Sequence, residues 1–210
     1  MRNDMKSTTP QRPAVFFDKD GTLVENVPYN VDCDRIRLVD GAGEAVRMLH
    51  GAGYVLVIVT NQSGIALGYF DTEDLLPVRR RIVELLAAEG VPLAGFYFCP
   101  HRENAVVADY ARACDCRKPL PGMMLHAARD LNLDLRQSWI VGDILDDIEA
   151  GHRAGCRAVL LDTGGETRWQ TGPLRVPEFT VATLPTAARR ILAAGPAATA
   201  FATPITEVRS

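Results

Sequence analysis

Residues Val55 to Val59 read Val-Leu-Val-Ile-Val, five aliphatic side chains with no polar residue between them. A strand with one wet face would alternate. This run therefore predicts a strand over Tyr54–Thr60 that is covered on both sides, as in a parallel sheet. Shorter apolar runs recur at 14–18, 95–99, 138–142 and 157–161, with 179–181 as an expected last edge strand. Helical spacing separates them. Residues 42–50 place Ala45, Val46, Met48 and Leu49 in a helix ended by Gly51 and Gly53. A second helix, capped by Asp71 or Thr72 and running to about Glu89, sets Leu75, Val78, Ile82, Val83 and Leu86 on one face. Further helices are predicted over 121–131, 145–154 and 184–194, the first with Pro121 near its opening turn. Strands alternating with helices give an α/β fold, a doubly wound parallel sheet. Ligands of such sheets bind beyond the carboxyl ends of the strands, which brings Asp18, Thr60, Cys99 and Asp143 to one rim.

A chain of 210 residues fits one domain, expected over 13–194, with a disordered leader over 1–12 and a disordered Ala/Thr/Pro-rich tail over 195–210. Apolar residues at 47% and charged residues at 23% allow a sizeable core. The net charge of -3 and the lack of a Lys/Arg run leave no electrostatic footprint for nucleic acid or an anionic membrane. No apolar run is long enough to span a bilayer, and the polar N-terminus lacks a signal-peptide core, so a cytoplasmic protein is expected. In that compartment the five cysteines stay reduced. Cys33 and Cys156 look solitary. His50, His126 and His152 carry no partner signal, and Trp139 and Trp169 read as core and loop packing.

The first apolar run leads directly into Asp18-Lys19-Asp20-Gly21-Thr22. Taken alone, Asp-x-Asp-Gly is a common surface turn. It is not a calcium loop of the EF-hand type, because counting from Asp18 the glycine falls at position four and position twelve is Tyr29. A second acidic cluster, Gly142-Asp143-Ile144-Leu145-Asp146-Asp147, follows another buried strand. Together the two clusters can hold a hard divalent cation: the Asp18 carboxylate, the Asp20 main-chain carbonyl and the Asp143 carboxylate suit magnesium, with room left for water and a phosphate oxygen. Thr60-Asn61-Gln62-Ser63-Gly64 offers a hydroxyl, amides and free backbone at a loop-to-helix junction, a setting for phosphate oxygens or simply a polar turn. Arg117-Lys118 puts two cations before a helix: Lys118 to neutralise Asp18 and a phosphate, and Arg117 to fork onto a second anionic group, unless they are a solvated surface pair.

In combination these residues resemble the haloacid dehalogenase superfamily of phosphohydrolases. Its four motifs are matched in order by Asp18-Lys-Asp20-Gly-Thr22, Thr60-Asn61, Lys118-Pro119 and Gly142-Asp143 with Asp147. Val59 to Ala66, Cys99-Pro-His101 and Cys114-Asp-Cys-Arg-Lys-Pro119 further resemble the subgroup that dephosphorylates heptose bisphosphates and histidinol phosphate, and the likeness covers roughly residues 14–193. The resemblance implies a capless fold and a magnesium-dependent phosphomonoester hydrolase. Its substrate is expected to be a small sugar bisphosphate, first of all the 7-phosphate of heptose 1,7-bisphosphate, with histidinol phosphate as the alternative. Asp18 is implied as nucleophile and Asp20 as general acid and base, with Thr60 and Lys118 holding the transferring phosphoryl group. Asn26, Val27, Pro28, Tyr29, Asn61, Gln62, Ser63 and Arg117 are implied as substrate contacts. Position 19 is Lys where Arg is common, and position 144 is Ile where a polar residue is common. A phosphotransferase, or a non-enzymatic zinc-stabilised interaction module, would share much of this pattern. A monomer is expected.

Cys99-x-His101 and Cys114-x-Cys116, twelve residues apart, together form a Cys3His set suited to a closed, structural zinc site. Four protein ligands leave no open position for chemistry. Arg117 and Lys118 follow the last ligand directly, so an ordered loop over 99–118 would aim both cations at the substrate.

Overall fold

The computed structural model describes residues 10–166 and 169–195. Six strands form one parallel sheet in the order β3-β2-β1-β4-β5-β6. The strands are β1 (Ala14–Phe17), β2 (Val55–Asn61), β3 (Gly95–Cys99), β4 (Trp139–Gly142), β5 (Arg157–Leu161) and β6 (Phe179–Val181), and they lie where the apolar runs place them. The helices are α1 (Ala42–Gly51), α2 (Ser63–Ala66), α3 (Leu75–Ala88), α4 (Gly122–Leu131), α5 (Leu145–Ala154) and α6 (Leu184–Ala194). The expected disorder over 1–9 and 196–210 lies outside the described residues. Residues 10–12 do not behave as a free leader: Arg12 bridges to Leu133, and its carbonyl accepts from the Asp134 N–H at 2.9 Å.

Alternation along each strand divides the interior in two. Val15, Phe17, Leu56, Ile58, Val141 and Val159 pack with α1, α3 and α6. Ala14, Phe16, Val57, Val59, Ile140 and Leu160 pack with α4 and α5 on the opposite face. Each fully buried large apolar side chain contributes roughly 1.5–3 kcal/mol relative to exposure, and β1 is buried on both faces, so the sheet centre is strongly stabilised by packing. Trp139 is wholly buried, stacked on Phe179 with ring centroids 5.9 Å apart, and the Arg157 guanidinium lies 4.0 Å from its ring centroid.

Three local readings change. α3 begins at Leu75, with Asp71 accepting from the Glu73 and Asp74 N–H groups in the preceding turn and not capping the helix itself. Leu75, Val78, Ile82 and Leu86 form its buried face, but Val83 is 38% exposed. The buried positions step by three and four residues, and Val83, one position past Ile82, is rotated about 100° off that stripe. His152 is partnered: its ring nitrogens lie 2.9 Å from the Leu174 carbonyl oxygen and 3.2 Å from Glu178 Oε2. The segment 24–40 keeps its expected form, a loop closed by one antiparallel bridge between Val24 and Leu38, with a single 3-10 turn at Cys33–Arg35.

Register fixes the rim. Phe17 pairs with Ile58 on one side and Val141 on the other, and Asn61 pairs with Cys99. The residues that follow β1 and β4, and those that end β2 and β3, therefore meet at the carboxyl edge of the sheet.

Candidate active site

Asp18 leaves the end of β1 with its N–H bound to the Val141 carbonyl at 3.0 Å, so its backbone is still held by the sheet. Its carboxylate meets the ammonium of Lys118, which is only 2% exposed. Lys118 Nζ lies 2.5 Å from Asp18 Oδ1, 2.5 Å from Asp147 Oδ1 and 3.0 Å from the Val59 carbonyl oxygen. The ammonium donates to Asp18 Oδ1 and to the Val59 carbonyl and is ion-paired with Asp147 Oδ1, so groups from the end of β1, from β2 and from α5 meet on one charge. Burial alone would pull the Lys118 ammonium down, but Asp147 and Asp18 together outweigh it and hold it above its ordinary value.

The carboxylates that gather are Asp18, Asp143 and Asp147, each with an oxygen within 4.8 Å of the others. Asp20 is not in that group, and only its main-chain carbonyl can serve the expected metal set. Its carboxylate is engaged elsewhere, with Oδ1 paired to Lys19 and Oδ2 accepting from Gln62 Nε2 at 3.2 Å. The sequence marks Asp147 only by its place in the fourth motif. Four residues after Asp143 and in the first turn of a helix, it returns to the same rim, where the helix dipole favours an anion. Two glycines make room. A Cβ at Gly142 would overlap the Asp147 side chain. Gly21, with a φ of +82°, occupies the left-handed region, and a Cβ there would fall on the Asp143 carboxylate.

The charges do not balance among these groups. Burial, then the charges of Asp18 and Asp147, pushes the Asp143 carboxyl up to about 7. Burial pushes Asp147 up to about 6, against the pull of Lys118. Asp20 is raised by burial, with Lys19 opposing. Three converging carboxylates against one ammonium, all offering oxygen, are a donor set suited to a hard divalent cation, and such a cation would offset the mutual repulsion that raises the Asp143 carboxyl.

Beyond the carboxylates lie the phosphate-type groups. Thr60 Oγ1 accepts from Gln62 Nε2 at 2.9 Å. The Asn61 side chain makes a reciprocal pair with the Lys118 backbone, accepting from its N–H at 3.0 Å and donating to its carbonyl at 3.1 Å. Arg117 Nη1 donates to Ser63 Oγ at 2.8 Å and to the His101 carbonyl at 3.2 Å. Asn26, Pro28, Tyr29, Asn61, Gln62 and Ser63 line a small cleft of about 210 Å³ with Asp20. Val27 is half-buried and does not line it. Tyr29 also borders a larger cavity of about 680 Å³ whose walls include Ser63, Arg102, Arg112, Arg117, Lys118 and Asp146. Arg102, Arg112 and Asp146 carried no signal of their own in the sequence, being charged residues in an irregular stretch and on a helix. Asp146 is tied to Arg175 at 2.7 Å, which also binds Glu149 at 2.6 Å and so fastens the loop after β5 to α5.

Cys99, His101, Cys114 and Cys116 converge on one point, their ligand atoms all within 4.8 Å. Cys116 Sγ lies 3.1 Å from Cys99 Sγ and 3.3 Å from His101 Nδ1, and Cys99 Sγ lies 3.6 Å from Cys114 Sγ. Hydrogen bonding from Cys99 pulls the Cys116 thiol down to about 5, while the same bond and burial push Cys99 up. A tetrahedron of metal–sulfur bonds of about 2.3 Å has edges of roughly 3.8 Å, so the spacing and the soft donors fit a four-coordinate metal. Arg112 Nη2 stands 2.9 Å from His101 Nε2, and Arg112 lines the larger cavity together with Cys114 of the cluster.

Residues 115–187 match the HAD-hydrolase-like family. The chain is 43% identical over 157 residues to the D-glycero-beta-D-manno-heptose-1,7-bisphosphate 7-phosphatase of Yersinia pestis, covering 74% of this chain and 84% of that protein. It is 39% identical over 166 residues to the protein of the same name from Escherichia coli K12, covering 79% and 83%. The fold matches, with a TM-score of 0.69 and 30% identity, the crystal structure of D,D-heptose 1,7-bisphosphate phosphatase from B. bronchiseptica complexed with magnesium and phosphate, covering 86% of this chain and 98% of that one.

Proposed function

The chain belongs to the HAD-like phosphatases, and from that premise we propose that it removes the 7-phosphate of D-glycero-D-manno-heptose 1,7-bisphosphate through a phosphorylated Asp18. The observation that carries this reading is the Asp18 carboxylate itself. It sits at the end of the central strand, 8% exposed, with one oxygen fixed by Lys118 at 2.5 Å and a second carboxylate, Asp20, one residue beyond its neighbour.

In the first half-reaction an Asp18 oxygen attacks phosphorus and the bond from phosphorus to the sugar oxygen breaks. An alkoxide leaves poorly, so Asp20 gives that oxygen its proton. In the second, the Asp20 carboxylate takes a proton from water as the water oxygen attacks phosphorus. The bond to Asp18 breaks and inorganic phosphate departs. Thr60 and Lys118 hold the phosphoryl oxygens, and Lys118 keeps Asp18 from repelling the incoming dianion. Magnesium held by the Asp18 and Asp143 carboxylates and the Asp20 main-chain carbonyl would offset the negative charge of nucleophile and phosphate together. Zinc on Cys99, His101, Cys114 and Cys116 would brace the loop that carries Arg117 and Lys118.

Arg102, Arg112 and Arg117 around the larger cavity favour a substrate with a second anionic group, which supports a bisphosphate over histidinol phosphate, whose far end carries an amine and an imidazole in place of a second phosphate. The substrate contacts in this reading are Asn26, Pro28, Tyr29, Asn61, Ser63 and Arg117. The reading also takes residues 13–194 as a single domain and the protein as a cytoplasmic monomer, in a compartment that keeps the clustered thiols reduced. No described helix is long and apolar enough to cross a membrane. The test is kcat/KM, with magnesium present, for both anomers of heptose 1,7-bisphosphate and for histidinol phosphate. A preference of at least about a hundredfold for a bisphosphate is expected, and an equal or better rate on histidinol phosphate overturns the assignment.

A further inference from the structure

We infer that Gln62 is a positioning residue that sets Asp20 and Thr60 at a fixed spacing through a single nitrogen; this rests on the reading of Asp20 as the acid for the leaving group. Gln62 is 5% exposed, and although it borders the small cleft its amide nitrogen is already occupied. Nε2 lies 3.2 Å from Asp20 Oδ2 and 2.9 Å from Thr60 Oγ1. An amide nitrogen carries two hydrogens, so it donates one to each oxygen. Asp20 Oδ1 is paired with the neighbouring Lys19. The Asp20 carboxyl is therefore held at both oxygens, by a cation from its own loop and by an amide from the loop after β2.

The second bond has a directional consequence. A threonine hydroxyl that accepts from an amide turns its own hydrogen away from that donor. Thr60 Oγ1 is thus left as a donor toward the open rim, where a phosphoryl oxygen would lie. The ester oxygen and the non-bridging oxygens of a phosphate share one phosphorus, so the acid for the first and the clamp for the second must be held close together and in register. Gln62 does both from one atom. Its own backbone is fixed, because the Gln62 N–H donates to the Cys99 carbonyl at 2.8 Å. The sequence reading of Gln62 as a substrate contact is replaced here by a role exercised through two other side chains.

A phosphate monoester series with graded leaving groups, from alkyl phosphates to p-nitrophenyl phosphate, tests this. The readout is kcat/KM, which reports the first half-reaction. Gln62→Leu, and Gln62→Met as a second variant of matching length, remove the amide without adding charge, and Asp20→Asn is the reference. All three are checked for folding by circular dichroism and for retained zinc. With Asp20 misplaced, alkyl leaving groups lose protonation while p-nitrophenolate hardly needs it. We expect kcat/KM for alkyl phosphates to fall about a hundredfold in the Gln62 variants and for p-nitrophenyl phosphate by tenfold at most, so that dependence on leaving-group basicity steepens as it does in Asp20→Asn. If Asp20→Asn steepens the dependence and both Gln62 variants fall equally on all esters, or not at all, the role given to Gln62 is wrong. If Asp20→Asn itself leaves the dependence unchanged, the assignment of Asp20 as acid fails first.

Discussion

Magnesium should stabilise this protein more at about pH 8 than at about pH 6, because a proton must leave before the cation can bind. The carboxyl of Asp143 is held up to about 7 by burial and by the charges of Asp18 and Asp147. A carboxyl raised in the folded state keeps its proton at pH values where the unfolded chain has lost it. In the metal-free protein its contribution to stability therefore falls as pH climbs from the ordinary carboxylate range through about 7, and is level above that. The cation needs the ionised form. Below about 7 its apparent affinity should weaken about tenfold per pH unit, or about 1.4 kcal/mol. Ligand stabilisation follows the logarithm of ligand concentration over dissociation constant, and a domain of this size melts about 2–4 °C higher per kcal/mol. At one fixed magnesium concentration well above the dissociation constant at every pH used, the rise in Tm should grow by about 3–6 °C per unit between about pH 5.5 and 7, then level off. Differential scanning calorimetry of the zinc-loaded protein, with and without magnesium at each pH, measures this directly. Asp143→Asn has no proton to displace at that position and should give a small, flat shift. A wild-type magnesium shift that does not change across that range, or an Asp143→Asn variant that keeps the slope, refutes the reasoning.

Asp18→Asn should fold as the wild type and lose turnover entirely; hydrolysis of phosphate esters at the wild-type rate by this variant would end the covalent mechanism. Arg112→Ala, and more so the double variant with Arg102→Ala, should raise KM for a sugar bisphosphate about tenfold per arginine, roughly the worth of one charge-assisted contact, while p-nitrophenyl phosphate, with one phosphate, is turned over as before. Equal KM changes on both substrates would mean that these arginines do not read a second anionic group. Removing zinc with a chelator, then restoring magnesium alone, should lower kcat/KM by disordering the loop before Lys118, and readdition of zinc should recover it; unchanged turnover in the zinc-free protein rules out that bracing role.

Much of the sheet could be read directly from the chain because a strand buried on both faces has few alternatives. Val55–Val59 offers no polar face, and Phe16 and Phe17 both turn out to be buried, one toward each layer of helices. Once the strands are ordered, their carboxyl ends gather Asp18, Thr60 and Asp143 without further information. What stayed hidden depends on geometry that side-chain type does not encode. Val83 has the hydrophobicity of a core residue and differs from Ile82 only by one step around the helix. Asp20 and Asp147 look alike in the chain. One turns to Lys19 and Gln62, and the other is drawn to Lys118, because α5 starts beside β4 and Gly142 leaves space for it. Arg102 and Arg112 lie in a stretch without periodicity, where charge alone cannot tell a cavity wall from a solvated surface.

The position of Lys118 shows how the site depends on the whole rim being assembled. A lysine ends in a long flexible stem, and burying its charge is costly unless each hydrogen finds an acceptor. Lys118 has two acceptors, Asp18 just past β1 and the Val59 carbonyl in β2, and an ion-pair partner in Asp147 on α5, so no single segment supplies two of its partners. The backbone beneath Lys118 is held in turn by the Asn61 side chain at the end of β2, and Arg117 beside it is tied to Ser63 and to the His101 carbonyl. The Gln62 N–H joins the same lacing at Cys99. The loop after β2 and the Cys/His loop thus constrain each other at several points. A disturbance of either reaches the ammonium that neutralises Asp18, even though among the described residues no hydrogen bond or ion pair links the clustered sulfurs to that carboxylate. This is the physical sense in which a metal held by the four Cys/His side chains, with no open coordination position, would still act on the proposed nucleophile: through the main chain that delivers its counter-charge.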